Sequence, residues 1–429
     1  MNYFERELTD EALIDESLKG LIKSCKKLLT KSDDKDIIRL HESTLGVEEL
    51  CALNRAYLEG NITMGKYVNE YEKKIADKFK TKYCISSNSG SSANLLAIEA
   101  LVQSGRLQEG NKVIVPKLAW STSVFPLVQN GLIPVFVDIS LEDFNLCLKD
   151  VESIVKEQDI QAVMLIHTYG NPCDMDKVQE ICDTNNLILI EDTCESMGAT
   201  WKGMPVGSFG VAGTFSSYYS HHICTFEGGL TVTNDKEIEE LMKSIRSHGW
   251  IRGLTNIDKD RLNHKGYDLE FTFINTGYNL RLSDPQAAMG IEQVKKLDKF
   301  VERRRAAALS YKQIIKKDSY LSKAIRVQQE NRDSKSSWFG FPILINNMNK
   351  EKIKKLREKL KGHGIETRPF LAGNFAAQPV NMKYDHIMSE SNKIEIIDQG
   401  ALAVPCHQGI TTEETNRICY YLKRLLIDE

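Results

Sequence analysis

The sequence predicts an α/β fold: a large domain with a mostly parallel central sheet flanked by helices, and a smaller C-terminal α/β domain. Two observations carry this. From residue 83 onward, short apolar runs alternate with segments of helical period, and several of those runs are almost continuously apolar but end on a polar residue. After about residue 300 the texture changes to long charged helices interrupted by a few strands. A chain of 429 residues with 41% hydrophobic content can bury two cores.

In chain order, residues 1–40 form a charged helical extension. Ile14, Leu18, Leu21, Ile22, Cys25, Leu28 and Leu29 fit one helical stripe, and Ser32-Asp33-Asp34-Lys35-Asp36 breaks it. The large domain is expected over 41–300. Lys82–Ser86 reads as a strand leading into a helix over Ser91–Val102. Val113–Pro116, Pro134–Asp138, Ala162–Ile166 and Leu187–Glu191 read as further strands, apolar enough to be covered on both faces. Ligands of open α/β sheets sit at the carboxyl ends of strands, where Asp138, His167 and Asp192 fall. The small domain is expected over 301–429, with Val301–Arg305 on a long helix and strands at Phe339–Ile345 and Ala401–Pro405.

A net charge of −3 gives no reason to expect nucleic acid or an anionic membrane as partner. The ten cysteines include no C-x-x-C pair, and the closest two lie nine residues apart, which is no zinc or iron–sulfur spacing. No metal is expected. The N-terminus runs straight into charged sequence, and no apolar run approaches the ~20 residues that span a bilayer. A reduced, cytoplasmic protein is the expectation.

Several residues invite chemistry. Ser89-Gly90-Ser91-Ser92 joins a strand to a helix, where small residues and free N–H groups can cradle a phosphate; Ser-Gly-Ser is equally ordinary turn chemistry. Trp120 is either a core residue or an aromatic platform. Asp192, closing a strand, is either a helix cap or a buried functional carboxylate. His221 and His222 adjoin; on an extended segment they would point to opposite faces, so at most one can face a ligand. Arg368 could hold a carboxylate or diphosphate, or lie at the surface.

The segment Phe215-Ser216-Ser217-Tyr218-Tyr219-Ser220-His221, followed by Gly228-Gly229, resembles the cofactor-lysine segment of the DegT/DnrJ/EryC1/StrS sugar aminotransferases, which reads F-S-x-x-x-x-K-x-x-x-x-x-x-G-G. These are pyridoxal 5'-phosphate (PLP) enzymes of fold type I. The resemblance runs from about Leu45 to the C-terminus, through ITMGKYV (62–68), SGSSANLL (89–96), EDTCESMGAT (191–200), HGW (248–250), GYN (277–279), SSWFGF (336–341) and RPFLAGNF (368–375). Where those enzymes hold the cofactor through a lysine Schiff base, this chain has His221. Imidazole cannot form that bond, but it can move protons.

A histidine at this place is similar to the nucleotide-sugar 3-dehydratase subgroup. That likeness implies PLP and pyridoxamine 5'-phosphate (PMP) bound non-covalently, L-glutamate as amino donor, and a nucleotide-linked 4-keto-6-deoxyhexose as substrate, GDP-4-keto-6-deoxymannose favoured. The C3 hydroxyl would be removed on the way to 3,6-dideoxysugars of O-antigen. It implies Gly90, Ser91, Ser92 and Ser216 at the phosphate, Trp120 stacked on the ring, Asp192 on the pyridine nitrogen and Glu195 near the ring hydroxyl. His221 would be catalytic, with His248 nearby. Asn279 would reach the partner's phosphate across a homodimer, and Met64, Gly65 and Arg368 would lie near the sugar. No cysteine lies between Cys224 and Cys406, unlike the iron–sulfur relative that carries the same histidine. The alternatives are an ordinary sugar aminotransferase, disfavoured by His221, and a non-catalytic PLP-binding relative.

Overall fold

The computed structural model describes residues 16–23, 37–252, 254–255, 265–268 and 270–427. Seven strands build the main sheet: β1 (Tyr83–Ser87), β2 (Lys112–Pro116), β3 (Ile133–Val137), β4 (Ala162–Ile166), β5 (Ile188–Asp192), β6 (Ala212–Ser216) and β7 (Gly229–Thr233). Their order is β1-β7-β6-β5-β4-β2-β3, and a short strand, Ile387–Met388, adds to the β3 edge. The run from β6 to β3 is parallel. β7 is antiparallel to both β6 and β1. All five residues of β4, of β6 and of β7 are buried, as expected of strands sandwiched between helices.

Of the three polar residues expected at strand ends, only Asp192 opens on the large pocket described below. Asp138 is spent on the fold: its carboxylate accepts the N–H groups of Ile139 at 2.8 Å and Ile394 at 3.0 Å. Buried His167 faces Glu191 Oε2 at 3.2 Å and accepts the Cys173 N–H at 3.1 Å.

A second, antiparallel sheet carries Ile325–Val327, Phe341–Ile345, Ala401–Val404 and Arg368–Pro369, in that order. It packs on Thr412–Ile427 and on Lys350–Gly362 through a separate apolar core that includes Tyr311, Phe341, Leu356 and Leu422. One helix, Asp284–Lys317, is 34 residues long and runs through position 300, so the expected domain boundary falls inside it. Pro285 and a capping box between Ser283 and Gln286 start it.

Within the expected N-terminal extension, residues 16–23 are helical, with Leu18 and Ile22 half-buried and Leu21 exposed. Ile14, Cys25, Leu28, Leu29 and the break at 32–36 lie outside the described residues. No helix among the described residues is long and apolar enough to cross a membrane.

Candidate active site

The carboxyl ends of β5 and β6 and the N-terminus of helix Gly90–Gln103 converge on a pocket of about 590 Å³, within the range of small-molecule sites. Ser89, Gly90, Ser91, Trp120, Asp192, Glu195, Ser216, His221 and Arg368 all line it. No lysine is among its lining residues.

Asp192 is fixed in place by three hydrogen bonds. Its Oδ2 accepts from Asn94 Nδ2 at 2.8 Å and Ser123 Oγ at 2.7 Å, and its Oδ1 accepts from Cys194 N at 3.1 Å. Thr214 in turn donates to Asn94 Oδ1. Neither Asn94 nor Ser123 was legible as a site residue. They lie on two helices, and only packing over β5 brings them together.

Helix Gly90–Gln103 is capped by Ser89, whose side chain accepts the Ser92 N–H at 3.1 Å. The Ser92 hydroxyl also meets Ser89 Oγ, at 2.9 Å, and Ser92 is not part of the pocket lining. Gly90 and Ser91 start the helix, where first-turn N–H groups lack intrahelical partners. A Cβ on Gly90 would come within 2.7 Å of Ser216 Cβ and 3.1 Å of Cys194 Sγ, so only glycine lets helix and strand approach this closely.

Trp120 is 53% exposed at the pocket mouth, and the buried core tryptophans are Trp201 and Trp338 instead. Arg368 lies over the faces of Tyr169 and Phe339, at 5.0 and 4.7 Å from the ring centres. Its Nη2 is 3.6 Å from Glu195 Oε1. Glu195 Oε2 also accepts the Tyr169 N–H at 2.9 Å. Burial outweighs these contacts and raises the Glu195 pKa to about 7.

The two histidines sit in a turn rather than on an extended strand: the His221 N–H donates to Tyr218 O at 2.9 Å. The turn still sends them apart. His221 meets Phe339 edge-on at 4.9 Å, lines the pocket, and its Nδ1 has no hydrogen-bond partner among the described residues. Burial, followed by the charges of Arg368 and Arg304, lowers its pKa to about 3. His222 turns away and is fully buried, with Nε2 3.2 Å from Ser337 O.

Four expected residues stand elsewhere. Met64 packs partly buried on the core formed by Val68, Tyr71 and Leu282. The Gly65 N–H donates to Asp284 Oδ1 at 2.8 Å, as does Val68 N at 2.9 Å, so this loop starts a helix and does not open on the pocket. His248, with φ 68°, donates its N–H to Tyr278 O at 2.7 Å. Asn279 is bridged to Ser247, and its Oδ1 accepts from Arg281 at 3.0 Å. His248 and Asn279 are both exposed and stand outside this chain's pocket lining.

The DegT/DnrJ/EryC1/StrS aminotransferase family model matches residues 43–423, and the chain belongs to that family. Within it, the chain is 37% identical over 391 residues to GDP-4-keto-6-deoxy-D-mannose 3-dehydratase of Yersinia pseudotuberculosis, covering 90% of this chain and 98% of that one. The enzyme of the same description from Escherichia coli O55:H7 is 40% identical over 370 residues, covering 85% and 92%. A solved structure of GDP-4-keto-6-deoxymannose-3-dehydratase with a trapped PLP-glutamate geminal diamine superposes with a TM-score of 0.83. The two are 36% identical, over 90% of this chain and 100% of that one.

Proposed function

We propose that this protein is a PLP/PMP-dependent nucleotide-sugar 3-dehydratase. It takes L-glutamate as amino donor and removes the C3 hydroxyl of a GDP-linked 4-keto-6-deoxyhexose. The observation that carries the reading is a pocket furnished for a pyridoxal group but lined by His221 and no lysine.

The residues present fit such a group. Gly90, Ser91 and Ser216 supply a tight cradle at a helix N-terminus for a phosphate. Trp120 offers an exposed indole face for the ring. Asp192, fixed from three sides, can hold a pyridine nitrogen protonated. When bound, the cofactor supplies an electron sink and a carrier for the amino group.

This chain's residues do the rest. The His221 imidazole, its pKa lowered to about 3 chiefly by burial, is neutral at physiological pH, and its Nδ1 has no hydrogen-bond partner among the described residues. We assign it proton transfer between the amino donor's Cα and the cofactor's C4', and proton removal from C4' in the sugar half-reaction. Glu195, titrating near 7, keeps a proton available beside the ring hydroxyl. Arg368 anchors acidic substrate groups. The electrons of the C4' C–H bond would expel the C3 hydroxyl as water, and hydrolysis of the sugar enamine so formed would release the amino group as ammonia. Each turnover converts one glutamate to one 2-oxoglutarate and one ammonia, and leaves a sugar lighter by one oxygen.

Exposed His248 and Asn279 support a homodimer in which these two residues serve the partner's site. The two sheets support a division into a cofactor-binding and a smaller C-terminal domain. Lack of a membrane-spanning helix among the described residues accords with a cytoplasmic enzyme.

The test is incubation with PLP, L-glutamate and GDP-, CDP- and dTDP-linked 4-keto-6-deoxy sugars, followed by sugar mass and coupled ammonia measurement. Ammonia with a deoxygenated GDP-sugar is expected. A stable 4-amino sugar without ammonia would overturn dehydration in favour of transamination.

A further inference from the structure

Beside the main pocket lies a smaller cavity of about 110 Å³, walled by His41, Tyr219, Ser220, Arg304, Phe339 and Arg368. The two spaces share Tyr218, Ser220, Phe339 and Arg368, so His221 stands beside their junction. A strap of chain closes the far side. Ile38 N donates to Gly364 O at 2.7 Å, Glu366 N donates to Ile38 O at 3.0 Å, and Gln408 Nε2 donates to Glu42 O at 2.9 Å. The strap sets the His41 ring edge-on to Tyr219 at 5.1 Å.

The charge here is one-sided. Arg304 is 2% exposed, and its hydrogen-bond partners among the described residues are all neutral. Its Nη1 donates to the carbonyls of Trp338 at 3.2 Å, Phe339 at 3.1 Å and Cys406 at 2.8 Å, and its Nη2 donates to Gln408 Oε1 at 3.4 Å. Its Nε has no hydrogen-bond partner among the described residues. Arg368 has Glu195 as its carboxylate neighbour among the described residues, at 3.6 Å. The nearby carboxylates are engaged elsewhere: Glu366 accepts the Leu40 N–H at 2.9 Å, and exposed Glu42 lies 3.8 Å from His407. A buried guanidinium with only neutral partners is costly, and an incoming anion relieves that cost.

Size selects the anion. The cavity has under a fifth of the volume of the main pocket beside it, about 110 against 590 Å³, which suits a carboxylate group and not a nucleoside diphosphate. We propose that this side cavity is the subsite for the distal carboxylate of the amino donor, a five-carbon dicarboxylic amino acid, with Arg304 and Arg368 as its cations. The proposal rests on the glutamate-dependent reading above and adds where selectivity for glutamate resides. The donor's Cα stays at His221 in the main pocket while its side chain passes Ser220 and Phe339. Glutamine is disfavoured because its uncharged amide offers one acceptor oxygen where the carboxylate offers two, and its NH2 would face groups that can only donate.

The holoenzyme tests this with L-glutamate against L-glutamine as donor, and with glutarate binding measured by calorimetry. R304M replaces the cation with an uncharged chain. H41E, at a half-buried position on the strap, places a competing carboxylate beside the guanidinium groups. Each variant should lower kcat/KM for glutamate by ~10–100-fold, abolish glutarate binding, narrow the preference over glutamine, and leave KM for the nucleotide sugar unchanged. If R304M does not fold, H41E alone decides. Unchanged glutamate KM, or a raised sugar KM instead, overturns the subsite. Wild type that binds glutarate but dehydrates no nucleotide sugar overturns the dehydratase reading and leaves the subsite standing.

Discussion

Two regions supply the expected site residues, and they behave differently. At the ends of β5 and β6, Asp192, Ser216, Gly90 and His221 converge within one chain, each fixed by buried neighbours. At Ser247–Leu280, His248 and Asn279 are held together by backbone contacts yet exposed and turned away from that pocket. Around them stand exposed aromatic side chains, Phe271 at 67% and Phe273 at 58%, with Trp250 stacked on both. The first region is closed within one chain. The second is exposed, and it is the region proposed above to serve another subunit.

The sharpest way to probe the first region is H221K. It is expected to bind PLP covalently and to lose dehydration by ~10²–10⁴-fold, the range for removing a positioned acid–base group. Borohydride reduction and mass spectrometry should add a pyridoxyl mass at position 221 of the variant and nothing to wild type. Labelling of wild type at another lysine would sink the assignment. Next in size, N94A should weaken cofactor binding by ~10-fold or more, since a hydrogen bond to the buried Asp192 charge is removed. Absorbance titration with PLP measures this, and unaltered affinity would mean Asp192 does not carry the ring.

The exposed region is probed by mixing. N279A and H221N homodimers should each be impaired, whereas a hybrid dimer would hold one intact site and one doubly lesioned site. Random exchange should therefore restore ~25% of wild-type activity. No recovery, with exchange demonstrated by mass, would break the comparison and return Asn279 to a structural role.

The smallest effects concern stability. Glu195 has a folded pKa of about 7, above its ordinary value near 4.5. Its contribution is therefore present below pH 4.5 and is lost as pH rises through 7. His221 has the opposite sign: its folded pKa, about 3, lies below the ordinary 6.5. Its contribution is present above pH 6.5 and is lost as pH falls toward 3. Denaturant titrations should show E195Q gaining ~1–3 kcal/mol on wild type between pH 4.5 and 7, and H221N gaining on wild type between pH 6.5 and 4. Flat differences across those windows would contradict the burial of either group.

The strands and the cofactor wall were largely legible from sequence because their causes are local. A strand covered on both faces must be apolar throughout, so Ala162–Ile166 is recognisable wherever it occurs. Likewise a histidine in a lysine's place is visible in one line of sequence. The pairing of Asn94 with Ser123 was not legible. Asn94 sits inside one helix and Ser123 in the first turn of another, and neither position hints at a shared carboxylate until the helices pack across β5. Met64 and Gly65 stand outside this chain's pocket lining for the converse reason: the motif is distinctive, but Asp284, more than two hundred residues on, uses the Gly65 N–H to start a helix.

By itself, then, the sequence determined the α/β class, the succession of strands, the family, and the exchange of amine for imidazole at position 221. These follow from side-chain chemistry and from periodicities a few residues long. Only the tertiary structure decided that His221 faces the pocket while His222 faces Ser337, that Glu195 titrates near 7, and that Arg304 is buried among neutral partners. Those properties depend on burial and on what lies opposite across the fold. Desolvation and Coulomb energies are set by distances in space, which spacing along a chain does not record.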